Sequence, residues 1–391
     1  MNLAARQQAL DRVLSECRPL WHAQPFREIR PDWCRCWPAL TADLLALDDG
    51  EQARLADDGE AAAAFVARHV PGVAALPELA EVAAGRVSSF ADHDRFWDWG
   101  IPGRKRAQIE AFAATVHGSG LPVVDWCGGK GHLGRLLARQ WKVRVSTLDS
   151  DPVLCADGQK LAARAGVAQD FVVADVTVPD APLGRGRHVV ALHACGDLHR
   201  ALVTRAAPSG LGALDIAPCC YHRGVEGVYS TLSGPMRTVV NGDDARMAVT
   251  EAVTAAPRQV RQRDREMAWK LGFDAWRRRQ SGCDGYRSFR PVPAAWSRGS
   301  FGEFMQLMAR RENLAVPAAS DMDELGRRGW QRQREVMRLS IVRHAFRRPL
   351  EVWLALDLAV RLENDGYAVE LRCFCERPLT PRNLLISARL D

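Results

Sequence analysis

Lysine is nearly missing from this chain: 391 residues hold five lysines against 48 arginines. There is also no internal repeat, no low-complexity tract, and no apolar run near the roughly 20 residues that a membrane-spanning helix needs. Helical membrane spans and solenoid repeats are therefore excluded. The opening stretch MNLAARQQALDRVL has none of the apolar core that a secretory signal carries, so a cytoplasmic location is expected. The eleven cysteines are odd in number and widely spread, which predicts reduced thiols and not a disulfide framework. Cys34/Cys36 and Cys373/Cys375 form two Cys-x-Cys pairs, a spacing narrower than zinc sites usually show.

What is present is ordinary globular material, with 47% hydrophobic and 26% charged residues. The length exceeds one ordinary core and predicts two or three domains, or one domain with large additions. The net charge of +6 conceals a segregation. Residues 1–100 carry 10 basic and 16 acidic side chains, whereas 258–348 carry 21 basic and 10 acidic. A basic block of that density attracts polyanions, and RNA is the expected partner of 258–348. The competing reading is a solvated surface in a chain biased toward arginine.

Four stretches follow from the patterning. Residues 1–100 read as an N-terminal helical region, with Trp21–Trp37 as an irregular loop. Residues 101–225 alternate strands and helices: strands at Pro122–Trp126, Val143–Leu148, Phe171–Val173, His188–Leu192 and Ala213–Ile216 are separated by helices including His132–Gln140, Pro152–Ala165 and Leu198–Ala206. That alternation predicts an α/β fold, a parallel sheet with helices on both faces. Residues 226–347 read as a mainly helical, Arg-rich insertion. Residues 348–391 supply a closing helix, Leu350–Asn364, and two strands, Tyr367–Cys375 and Leu384–Leu390.

The sharpest local signal is the run from Val123 to Leu133, VVDWCGGKGHL, which sits where a strand gives way to a helix. Glycines there let the backbone turn tightly and approach a ligand, with free N–H groups of the helix behind them. Gly129-x-Gly131-x-x-Gly134 fits a dinucleotide fingerprint, which keeps an NAD(P)- or FAD-binding oxidoreductase in view. Three acids favour S-adenosylmethionine. Asp125 ends the first strand, where a carboxylate repels pyrophosphate but suits an ammonium group. Asp149 ends the second, where it can accept from both ribose hydroxyls. Asp175, with Val176, ends the third, near the expected adenine. The competing reading makes these acids turn formers and helix caps, as Asp151 before Pro152 is.

Two further loops fall at the same sheet edge. His193-Ala194-Cys195-Gly196-Asp197 follows the fourth strand, and Cys219-Cys220-Tyr221-His222-Arg223 follows the fifth. His193, Cys195, Asp197, Cys219, Tyr221 and His222 are the candidate catalytic residues. They could shape a substrate slot and take a proton, a cysteine could act covalently, or the thiols could be buried fillers. Metal binding by the same set lacks a standard spacing, and no metal is assigned.

At these residues a family resemblance enters. VVDWCGGKGHLGRLLA, followed by LHACGDL and PCCYHR, resembles the S-adenosylmethionine-dependent methyltransferase domain of methyltransferase-like and ribosomal RNA adenine dimethylase domain-containing proteins. It is also similar to the domain in glutathione S-transferase C-terminal domain-containing protein. Arg104-Lys105-Arg106 and Leu379-Thr380-Pro381-Arg382-Asn383 match two further family segments, so the likeness covers about 103–223 and 350–391. It implies a class I, Rossmann-like methyltransferase fold with S-adenosylmethionine as cofactor. It places cofactor contacts on Asp125, Gly128, Gly129, Gly131, Asp149 and Asp175, and Cys127, Val176 and His193 lie among them. Cys127 stands where methyltransferases commonly carry glycine. The His-Ala-Cys-Gly-Asp run differs from the Asn/Asp-Pro-Pro-aromatic run of adenine N6-methylases, so another acceptor is expected. The expected activity is methyl transfer, with RNA the favoured substrate. A protein or small-molecule methyltransferase and a non-catalytic RNA-binding module are the alternatives.

Overall fold

The computed structural model describes residues 1–87, 100–179, 181–250 and 257–390. Residues 88–99 of the expected N-terminal region and 251–256 of the expected insertion lie outside the described residues. Two compact units emerge: one of 1–16, 75–253 and 347–391, the other of 17–74 and 254–346. No helix among the described residues is long and apolar enough to cross a membrane.

The first unit is built on seven strands: β1 Val123–Trp126, β2 Val145–Asp149, β3 Gln169–Val173, β4 His188–Cys195, β5 Ala213–Cys219, β6 Tyr367–Cys373 and β7 Leu384–Leu390. Their order in the sheet is β3-β2-β1-β4-β5-β7-β6. Strands β1 to β5 run parallel, and β7 is antiparallel to both β5 and β6. Every residue of β1 and of β5 is buried, the pattern of strands covered on both faces. The order reverses between β1 and β4, and in open α/β sheets the ligand crevice lies outside the strand ends at such a point. The five expected parallel strands and the closing pair are thus all present, β4 and β5 each reaching three residues beyond the sequence reading.

The opposite end of the sheet is closed by a buried ionic group. Asp215 of β5 accepts from His188 Nε2 at 2.7 Å, Arg389 Nη2 at 2.8 Å and Ser387 Oγ at 2.6 Å. His188 also stacks on Trp141, with ring centroids 5.3 Å apart. A fully buried carboxylate persists because it has charged and hydroxyl donors on several sides.

The segment from 226 to 250 belongs to the sheet unit. Two buried aspartates hold it. Asp357 accepts Tyr229 Oη at 2.8 Å and the backbone N–H groups of Leu232 and Ser233 at 2.8 and 2.9 Å. Asp11, on the helix Leu3–Glu16, accepts the N–H groups of Arg237 and Thr238 at 2.9 and 3.0 Å. Sequence patterning could not show this, because both acids pair over more than a hundred residues. The final helix also begins earlier than expected, at Ile341, and carries Pro349 inside it. An internal proline costs about 3 kcal/mol. Burial of Leu350, Val352, Trp353, Leu354, Leu356 and Leu358 on the same helix offsets that cost.

The second unit is helical. Helix Pro257–Ser281 packs against Ala319–Leu339 and Phe301–Arg311 around Trp269, Phe273, Trp276, Phe304, Met305, Met308 and Leu325. The crossing is close: a Cβ on Gly329 would stand 2.3 Å from the Ala268 carbonyl oxygen. Trp21–Trp37, expected as a loop, takes in the end of the short helix Arg18–His22 and all of Trp33–Cys36, with Trp21 and Trp33 as fully buried anchors. Arginines join residues 17–74 to 254–346. Arg332 donates to the carbonyls of Pro25 and Glu28 at 2.5 and 2.6 Å, Arg338 to that of Leu47 at 2.7 Å, and Arg343 to that of Trp21 at 3.0 Å. Part of the arginine surplus is therefore spent inside the unit.

Candidate active site at the strand tips

The turn after β1 is shaped by what its glycines exclude. A Cβ on Gly128 would stand 2.4 Å from Asp125 Oδ2, and one on Gly131 would stand 2.3 Å from Gln169 Nε2. Those glycines are locked against the chain itself. Gly129 differs: at φ +60° its Cβ would meet nothing nearer than Leu154 Cδ1 at 3.9 Å and Asp149 Oδ2 at 4.0 Å. The turn thus has a packed underside and one open upper face, the arrangement that lets a ligand lie on backbone.

Asp149, the last residue of β2, faces that opening. Its Oδ2 accepts the Gly129 N–H at 2.9 Å, and its Oδ1 accepts the Asp151 N–H at 3.0 Å. Each oxygen keeps a second lone pair for a ligand hydroxyl. Asp125 does a different job from the one expected. It is 2% exposed, and its Oδ2 accepts the Gly134 N–H at 3.0 Å and the Thr147 hydroxyl at 3.4 Å. It caps the helix His132–Trp141 from beneath the turn. Burial pushes its carboxyl up to about 6, against the pull of those two hydrogen bonds. Asp175 is exposed and closes a local turn, its Oδ1 accepting Thr177 N–H at 2.9 Å and Oγ1–H at 2.6 Å. Those bonds hold its carboxyl below the ordinary value. Val176 packs inward, 3% exposed. The reading of caps and turns holds in part: Asp125 is a cap and Asp175 a turn former, while Asp149 presents acceptors to the open face.

Cys127 sits among these groups at φ +55°. Burial, then the nearby charges of Asp149, Asp125, Cys195 and Asp175, push its thiol up to about 12. It is a neutral side chain here and no nucleophile.

The loops after β4 and β5 interlock. The register shifts between Leu192 and Ala194, where His193 adopts φ +62° as a bulge. A Cβ on Gly196 would stand 2.4 Å from the Arg223 carbonyl oxygen, and one on Gly224 would stand 1.7 Å from Asp197 Oδ2. Cys195 and Cys219 are register partners whose sulfurs lie 3.2 Å apart, and both point at the His193 carbonyl, at 3.5 and 3.3 Å. His193 lies against Phe374, and burial with the charges of Arg382 and Lys105 pushes its imidazole down to about 4. It is neutral at pH 7 and has a lone pair to receive a proton. Asp197 is exposed at the start of the helix Asp197–Arg205. His222 is half-buried, its imidazole pushed down by burial, and its Nδ1 has no partner among the described residues. Tyr221 does not reach this surface. Its side chain is fully buried beside His199, and its hydroxyl has no partner among the described residues.

Sequence reasoning missed Gln169, which donates to the Gly131 carbonyl at 2.9 Å and to Thr147 Oγ1 at 2.8 Å, tying β3 to the turn. A glutamine among hydrophobic strand residues was the available signal. Lys105 and Arg382 entered only through family segments, yet both charges act on His193.

A family model described as a methyltransferase domain matches residues 104–225. No curated protein matches the sequence. Among solved structures, the chain is similar to a Pyrococcus abyssi tRNA (uracil-54, C5)-methyltransferase in complex with S-adenosyl-L-homocysteine, at 20% identity and TM-score 0.25, over 30% of this chain and 28% of that one. A Streptococcus thermophilus rRNA methylase aligns at 13% identity and TM-score 0.22, over 30% of this chain and 73% of that one. The 23S rRNA methyltransferase ErmE aligns at 13% identity and TM-score 0.25, over 60% of this chain and 97% of that one. Residues 104–225, about a third of the chain, thus match a methyltransferase domain.

Proposed function

We propose that the protein methylates RNA, with the helical unit gripping the nucleic-acid backbone. One observation carries the substrate class. On helix Pro257–Ser281, Arg258, Arg261 and Arg265 recur at helical spacing and, with Arg298 and Gln262, line a cleft of about 410 Å³. No acidic residue lines that cleft, and no described carboxylate forms an ion pair with Arg258, Arg261 or Arg298. Arg265 lies over the Trp269 ring, 5.9 Å from its centroid. Unpaired guanidiniums around a concave surface suit phosphate oxygens.

The donor site fits the residues present. Gly129 offers bare backbone, and Asp149 offers an acceptor on each oxygen for ribose hydroxyls. When bound, S-adenosylmethionine supplies an electrophilic methyl group on a sulfonium. The chain's own work is then to position the acceptor and take up its proton. We assign the second to His193 at the β4 bulge, whose neutral imidazole offers a lone pair.

The experiment is a labelled methyl donor with total cellular RNA and total protein offered separately, alongside RNA binding measured against salt. Label in RNA and a steep loss of affinity with salt are expected. Label only in protein, or binding indifferent to salt, would remove RNA as the substrate and leave the methyltransferase intact.

A further inference from the structure

We propose that Cys195, Cys219 and Cys220 form a binding site for a thiophilic divalent cation of the zinc class. The three sulfurs lie within 4.8 Å of one another. Three thiolates around tetrahedral zinc, each about 2.3 Å from the metal, stand about 3.8 Å apart. The observed cluster brackets that spacing, with Cys195 and Cys219 at 3.2 Å.

The backbone is arranged to gather these side chains. The bulge at His193 restores Cys195 to register with Cys219 after the pairing shifts. Cys220 adopts φ +46°, a left-handed conformation that a residue with a Cβ takes only at a cost of about 1 kcal/mol. Around the sulfurs the same left-handed strain recurs at His193, two residues before Cys195. Packing does not account for the set: Cys219 is buried, but Cys195 and Cys220 are partly exposed. Cysteines that serve as filler are buried whole.

His222, two residues beyond Cys220, lies outside the 4.8 Å cluster, so a water completes the four-coordinate shell. The charges also balance. As each sulfur–metal bond forms, a thiol proton leaves to solvent. Three thiolates and a divalent cation leave one negative charge, which faces the nearby Arg223. The site binds β4 to β5 beside the donor turn and is independent of methyl transfer, so each can fail alone.

The test uses the full chain, reduced and stripped with a chelator, then titrated with Co²⁺ as the probe. One equivalent of cobalt with thiolate-to-cobalt charge-transfer absorption, displaced by Zn²⁺, is expected. Cys195→Ser and Cys220→Ser, at partly exposed positions, should each weaken affinity more than about tenfold and reduce the charge-transfer band. Cys36→Ser and Cys283→Ser should leave both unchanged. Circular dichroism and donor binding confirm that the variants fold. A wild-type chain that takes up no cobalt overturns the site. So does unchanged uptake in the Cys195→Ser/Cys220→Ser double variant.

Discussion

Asp149 Oδ2 receives the Gly129 N–H at 2.9 Å, so the last residue of β2 fixes the open glycine of the turn after β1. This bond holds the open face of the turn in shape, and under the proposed function the same carboxylate takes the donor ribose. Asp149→Ala should therefore weaken S-adenosylmethionine binding by about 10- to 100-fold, the loss of two charge-assisted hydrogen bonds to ribose and one to backbone. Calorimetry checks this. Affinity within threefold of wild type would show that the ribose lies elsewhere.

Alanine at Gly129 and at Gly131 should have opposite signatures. Gly131→Ala drives a methyl into Gln169 Nε2 and Phe171 and should destabilise the fold by about 1–3 kcal/mol. Gly129→Ala meets no protein atom within 3.9 Å. It costs about 1 kcal/mol of backbone strain and removes donor affinity through a methyl on the ligand face. Denaturant melts paired with donor titrations separate the two.

The buried Asp125 gives a pH signature. Its carboxyl is raised from 3.8 to about 6 in the folded chain, so between those values the folded state holds more proton than the unfolded one. Stability contributed by this group is therefore full below about pH 4 and falls as pH rises toward 6. Asp125→Asn keeps an acceptor for the Gly134 N–H and needs no charge. It should flatten the decline over pH 4–6 and match or exceed wild-type stability at pH 7. Urea unfolding at several pH values decides the point, and an Asn variant that is much weaker at pH 7 would contradict it.

Tyr221 is expected to be dispensable for chemistry. Its hydroxyl is buried without a partner, so Tyr221→Phe should leave stability unchanged or raise it by up to about 1 kcal/mol, and methyl transfer should persist. A large fall in turnover with unchanged donor affinity would return Tyr221 to the catalytic set.

The arginine cleft predicts a split of another kind. Arg258→Glu with Arg261→Glu should weaken RNA binding more than about tenfold and lower its salt dependence, with donor affinity untouched. Electrophoretic binding assays at two salt concentrations, beside donor calorimetry, measure both quantities.

Local signals told much of the sheet from residues alone. Hydrophobic runs such as VVDW, glycines at the β1 turn and the Asp151-Pro152 helix start all act within a few residues of one another, and the strands and helices they mark are where they were expected. The donor-side acids were legible as positions but not as roles. Asp125, Asp149 and Asp175 each lie within two residues of a strand end, yet one turns under the glycines, one lies over them and one closes its own turn. Side-chain direction at a strand tip depends on which N–H groups the next loop brings near, and that is set in space.

Sequence by itself determined the alternation of strands and helices, the glycine turn, and the presence of thiols and imidazoles after β4 and β5, because each is written in adjacent residues. Tertiary structure alone decided the rest. It drew residues 226–250 onto the sheet through Asp11 and Asp357, spent several arginines on distant carbonyls, sank Tyr221 into the core and brought three sulfurs within 4.8 Å of one another. Those outcomes rest on partners tens to hundreds of residues apart, whose meeting depends on the closed fold and leaves no local mark in the chain.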